Sequence, residues 1–181
     1  KVIQREYAVE GSTRMAKAML TVCDSGGSGE GTDNAYAYSA RLARMGLGQR
    51  FALIKGASSK GAQRINEGNP GKEKLQVPLY IINTTIIKDE TAANLRRDDV
   101  GAGYIHIPEH LGQWFFDELA AEYRDASGWH KLKKASNNEA FDLLGYNRVA
   151  YGLLGGERID WAKPPQWCAK PLGNPTNQPA L

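Results

Sequence analysis

Cysteine is scarce: the 181 residues hold two, Cys23 and Cys168, far apart and in no C-x-x-C pair. That spacing supports neither a zinc site nor a disulfide framework, and makes a reducing compartment the default. Long apolar runs are missing too, and none approaches the roughly 20 residues a membrane span needs. The first residues show no signal-peptide pattern. No internal repeat occurs. The G-x-x-x-x-G-K-[ST] phosphate loop and the G-x-G-x-x-G fingerprint are absent; Gly68–Glu73 and Gly27–Gly31 have the wrong spacing for either and read as plain loops. Charge of one sign is also lacking. A net charge of +3 permits contact with nucleic acid without arguing for it, so local clusters must carry that case. What remains is an ordinary globular composition, long enough for one domain with a real core.

The chain alternates between strand and helix signals. Residues 1–17 are mixed and read as partly helical. Ala18 to Cys23 is a short apolar run meeting Asp24-Ser25-Gly26-Gly27, a buried strand entering a loop. From Thr32, the residues Ala35, Tyr38, Leu42 and Met45 share a helix face that stops at Gly46. Phe51 to Ile54 is a second strand, so the pattern predicts a right-handed parallel βαβ unit. Residues 58–76 are polar and basic, with Lys60, Arg64, Lys72 and Lys74, and read as a loop. Leu79–Ile82 is a third strand, and Thr84 or Thr85 opens a helix toward Arg97. Tyr104–Ile107 reads as a fourth strand. Pro108 suits the first turn of a helix whose apolar face is Leu111, Phe115 and Leu119, with Trp114 as a further candidate. Trp129–Lys134 is a short strand or extended arm. After Arg158 come five prolines with Trp161 and Trp167, which divides the chain into a domain over 1–157 and a Pro-rich tail over 158–181.

The stretch Lys134–Tyr146 carries the most chemistry. It predicts a helix from about Asn138 to Leu154, ended by Gly155-Gly156, with Ser136 or Asn137 as a capping oxygen. Glu139 and Asp142, three residues apart, project from one face near the positive helix end, above a stripe of Phe141, Leu144, Val149 and Leu153. An acidic first turn is common in helices, but two carboxylates there also suit metal ligands. Asp24 is a second acidic site, at the end of a sheet strand, where open α/β sheets bind their ligands. The run Asp24-Ser25-Gly26-Gly27 imitates a serine-protease nucleophile motif. That reading fails because no histidine precedes Ser25 to act as base. His106 and His110 flank Pro108 across a change of element and read as surface residues. Lys131, Lys133 and Lys134 precede the acidic helix, as a solvated charge run or as contacts to a phosphate backbone.

Taken together, Val22–Gly27, Ile54–Ser58, Leu79–Ile82 and Asn138–Asp142, followed by an apolar helix with Tyr146 and Tyr151, resemble the C-terminal nuclease domain of the large terminase subunit of tailed phages, of the lambda-like GpA type. The likeness spans roughly residues 18–155. It implies an RNase H-like α/β fold, with a mixed, mostly parallel sheet flanked by helices. It also implies cutting of double-stranded, concatemeric viral DNA during packaging in the bacterial cytoplasm, with the terminase small subunit and portal protein as partners and no membrane. By the same resemblance, Asp24 together with Glu139 or Asp142 would hold Mg²⁺ or Mn²⁺ for two-metal hydrolysis. Lys55, Lys60, Arg64, Lys131, Lys133 and Lys134 would contact DNA. The family's further acid, on its first strand, has no counterpart in a strand-like stretch: ahead of residue 18 stand only Glu6 and Glu10. The expectation is that the chain starts inside the domain, or is a prophage remnant that binds DNA or a packaging partner without cutting. Another RNase H-like nuclease, such as a resolvase or transposase, is the remaining alternative.

Overall fold

The computed structural model describes residues 2–9, 13–27, 29–69 and 77–165. Eight short strands and four α-helices are present among them. The strands are β1 (Glu6–Ala8), β2 (Met15–Lys17), β3 (Thr21–Asp24), β4 (Phe51–Gly56), β5 (Ile65–Glu67), β6 (Leu79–Ile82), β7 (Glu122–Asp125) and β8 (Gly128–Lys131). The helices are α1 (Glu30–Arg44), α2 (Thr84–Leu95), α3 (Gln113–Leu119) and α4 (Glu139–Leu153).

The main sheet runs in the order β3-β4-β6-β5. The first three strands are mutually parallel, and β5 is antiparallel to β6. The fold is therefore α/β with a mixed, mostly parallel sheet, and β3-α1-β4 is the expected βαβ unit. Phe51, Ala52, Leu53 and Ile54 are all buried, as an interior strand covered on both faces requires. Their alternation sorts the core into two halves. Phe51 and Leu53 pack with Ala35 and Leu42 of α1, along with Ile3, Val77 and Leu79. Ile54 turns the other way, to Ile82, Ile87 of α2 and Val149 of α4. Helices thus cover both faces. The carboxyl ends of the parallel strands open on one side, where Asp24 stands.

Several local expectations are corrected. Residues 1–17 contain no α-helix in their described part; they form a 3-10 turn at Val2–Gln4 and an antiparallel β1–β2 hairpin. On α1, Tyr38 and Met45 are exposed and Ser39 is buried, so the buried face is Ala35, Ser39 and Leu42. The basic loop contains β5, which takes the outer edge of β6; Lys72 and Lys74 lie outside the described residues. Tyr104–Ile107 is not a strand; it lies in an irregular segment and joins no sheet among the described residues. Pro108 precedes a turn, and α3 starts only at Gln113, with Trp114 pointing to solvent. Trp129 does sit on a strand, β8, whose partner β7 makes a second hairpin. The tail falls largely outside the described residues, including Trp167 and Cys168.

α2 and α4 pack closely because Gly145 has no side chain. A Cβ there would meet Ile87 Cγ2 at 3.0 Å and Thr91 Oγ1 at 3.6 Å. Gly145→Val should therefore wedge the helices apart and cost about 1–3 kcal/mol by overpacking. A urea melt with an unchanged midpoint would refute this close packing.

Candidate active site at the β3–α4 edge

Asp24 is the last residue of β3, and both of its carboxylate oxygens are held. The Gly26 backbone N–H donates to Oδ1 at 2.7 Å, and the Tyr146 hydroxyl donates to Oδ2 at 2.9 Å. The bend that allows this is fixed from below. Ser25 is buried, and both its N–H and its hydroxyl donate to the Ile54 carbonyl, at 2.8 and 3.0 Å. Ser25 is thus an anchor and not a nucleophile. Gly26 has its own reason to be glycine, because a Cβ would sit 3.0 Å from Asp24 Oδ1 and 3.8 Å from Lys55 Cγ. The Lys55 side chain therefore passes beside this acidic corner.

α4 supplies the opposite wall. Its first turn carries Glu139 and Asp142, and Tyr146 follows four residues after Asp142 on the same face. The cap differs from expectation. The Asn138 side chain makes no capping bond, and the Ala140 N–H donates instead to Glu118 Oε2 of α3 at 2.9 Å. Tyr146 reports the electrostatics of the corner. Burial, then the charge and hydrogen bond of Asp24, then the charges of Asp142 and Glu139, push its phenol far above the usual range. Burial, and secondarily Asp24, likewise raise the Cys23 thiol.

The sign of the tyrosine effect is definite. A pKa raised in the folded state contributes stability that is present below the ordinary tyrosine value of about 10 and is lost as pH rises above it. Stability should fall more steeply with alkaline pH in the parent than in Tyr146→Phe, and tyrosinate absorbance should show one phenol that resists ionisation. Identical alkaline limbs in the two proteins would contradict this.

The two α4 acids have different surroundings. Glu139 is exposed, and its carboxylate makes no hydrogen bond or ion pair among the described residues. Asp142 is engaged at both oxygens: Lys88 Nζ of α2 lies 2.8 Å from Oδ1, and Asn138 Nδ2 donates to Oδ2 at 2.9 Å. Lys88 also contacts Glu122 of β7 at 2.6 and 2.9 Å, and stands over the Phe141 ring at 5.5 Å. Glu122 and Lys88 are largely buried, so removing the ammonium would cost about 3–5 kcal/mol, as for broken buried pairs. Sequence reasoning missed Lys88, Glu122 and Asn138, and did not connect Tyr146 with Asp24; only the helical spacing of Asp142 and Tyr146 signalled the last of these.

The donor set is all oxygen, which suits a hard divalent cation. Among the described residues, however, no group of three or more His, Cys, Asp or Glu is placed to hold a metal. Asp24, Glu139 and Asp142 therefore do not form one three-carboxylate cluster among the described residues. Two-ion occupancy does not fit these residues.

The basic residues divide as well. Lys55 lines the corner, and Lys133 and Lys134 are exposed ahead of α4. Lys131 donates to the Ser136 carbonyl at 3.0 Å, and Lys60 to the Ser127 carbonyl at 3.4 Å, both at the surface. Arg64 instead pairs with Glu90 at 2.9 Å and Glu157 at 2.8 Å and has little capacity left for a phosphate. Glu6 pairs with Lys17 at 3.2 Å within the first hairpin, and Glu10 lies outside the described residues. Among the described residues, no helix is long and apolar enough to cross a membrane.

No curated protein and no solved structure is found to match the chain. A family model does match, that of the terminase large subunit gpA, endonuclease domain, over residues 1–161 of the 181. The chain belongs to that family of phage DNA-packaging nuclease domains.

Proposed function

We propose that the chain is a Mg²⁺- or Mn²⁺-dependent endonuclease domain that cuts double-stranded viral DNA at the β3–α4 corner during packaging, in the host cytoplasm. The observation that carries this reading is the contact between Tyr146 and Asp24, which ties an acid at a sheet-strand end to the middle of α4, the helix whose first turn carries Glu139 and Asp142. Asp24 and Glu139 would hold the ion, which supplies Lewis-acid stabilisation of charge developing on the phosphoryl oxygens. The chain's own contribution is orientation. Gly26 and Tyr146 fix the Asp24 carboxylate, and Lys55 with Lys60, Lys131, Lys133 and Lys134 would neutralise the DNA backbone. An RNase H-like arrangement, and the terminase small subunit and portal protein as partners, are further parts of this reading that rest on the family likeness.

The absence of a three-carboxylate cluster among the described residues favours a second reading, in which the chain binds DNA or a packaging partner without cutting. Nicking of supercoiled plasmid separates the two. The enzyme reading expects slow, Mn²⁺-dependent nicking that disappears in Asp24→Asn. Intact plasmid at saturating Mn²⁺ would leave the binding-only reading, and nicking that survives Asp24→Asn would overturn the site.

A further inference from the structure

A large open groove lies behind α4, with a cavity volume of about 1110 Å³. Leu144, Asn147 and Tyr151 line it at helical spacing, on the face of α4 opposite Glu139, Asp142 and Tyr146. α2 supplies the rest of the floor. One wall is the 101–106 loop, where Tyr104 and His106 meet edge to face at 4.9 Å. The other wall is the chain itself after α4, from Gly156 to Trp161. That wall is pinned. The Tyr151 hydroxyl donates to the Gly156 carbonyl at 2.6 Å, and Glu157 takes Arg64 at 2.8 Å and Arg148 at 3.7 Å. Trp161, at the end of this wall, lines the groove and is still 55% exposed. The result is an aromatic-sided trough with a fixed exit point for the residues that follow.

We propose that this groove is the docking site of the chain's own Pro-rich tail, residues 166–181, which lie outside the described residues. Three observations put that occupant ahead of a foreign one. The first is position. The described chain ends at Pro165, just past Trp161, so the tail starts at the rim of the groove. Extended at about 3.1 Å per residue it reaches roughly 50 Å, far more than a cavity of this volume spans. The second is chemistry. The tail carries Trp167, Leu172, Pro171, Pro175 and Pro179, with Lys170 as its one charged side chain. Proline rings against aromatic side chains are how Pro-rich segments fill such grooves, and a proline-restricted chain loses less entropy on docking. The third is the tether. A short linker holds the tail at an effective concentration of about millimolar, so contacts too weak to hold a free peptide suffice. The proposal concerns the back of α4 and does not depend on metal binding or cutting at the Asp24 corner.

The test is paramagnetic broadening of amide signals in the full chain. A nitroxide is attached at Ala180→Cys, with Cys23→Ala and Cys168→Ser removing the other thiols. The signals of Tyr104, Asn147 and Tyr151 should be lost, and those of α1, on the opposite face of the main sheet, retained. Pro171→Ser, Pro175→Ser and Pro179→Ser together should return the groove signals. Ala102→Trp, at an exposed loop position on the groove, should return them as well by filling the space.

Groove signals retained in the labelled parent would overturn the proposal, as would broadening spread evenly over the surface or centred on another face. Groove broadening that survives either change would also overturn it. If Ala102→Trp does not fold, the proline replacements decide alone.

Discussion

Asp24→Asn is expected to abolish Mn²⁺ binding by the isolated chain. The substitution keeps the shape of the side chain; the amide oxygen can still accept from the Gly26 N–H while its NH2 donates to the Tyr146 hydroxyl oxygen, so the fold should survive. What disappears is the charge. With Glu139 as the other carboxylate, the parent site has two anionic ligands, and few-ligand oxygen sites bind on the order of millimolar. Removing one of two charges from so weak a site should push binding beyond detection. The melting temperature without metal should change little, which separates a lost ligand from a lost fold. Binding retained in Asp24→Asn would place the ion elsewhere.

The second large effect is in DNA binding. The candidate cations are Lys55, Lys60, Lys131, Lys133 and Lys134; Lys131 ends the hairpin strand β8, Lys55 lies on β4, and none stands on a helix. Binding should be weak and indifferent to sequence. Each neutralised phosphate contributes about 0.9 to the slope of log K against log salt, so five contacts predict a slope of about −4.5. From about 50 to 200 mM salt, affinity should fall by roughly 10²- to 10³-fold. Arg64→Ala should leave the slope unchanged, because its guanidinium already serves Glu90 and Glu157. Fluorescence anisotropy with a labelled duplex measures both, and salt-insensitive affinity would contradict the electrostatic account.

The elements legible in the sequence are those whose pattern comes from burial along one segment. β4 and β6 read as short apolar runs because helices cover the sheet on both faces, and α4 reads as a helix because its stripe and its Gly155 stop agree. β5, β7 and the first hairpin escaped because three- or four-residue strands with polar side chains leave no periodicity. Tyr104–Ile107 misled for the opposite reason: its composition suits a strand, but the segment joins no sheet. The site divides in the same way. Asp24 at a strand end and Glu139 at a helix start are visible as local signals. The Lys88–Glu122–Asp142 cluster is not, because its members sit on three elements brought together only by packing. Glu118 capping α4 from α3 is a tertiary contact of the same kind.

The measurement that bears most directly on the central claim is an anomalous difference map from crystals soaked in Mn²⁺. The account predicts one peak, bounded by the carboxylates of Asp24 and Glu139. A peak bounded by Glu122 and Asp142, or no peak near Asp24 at saturating Mn²⁺, would contradict it.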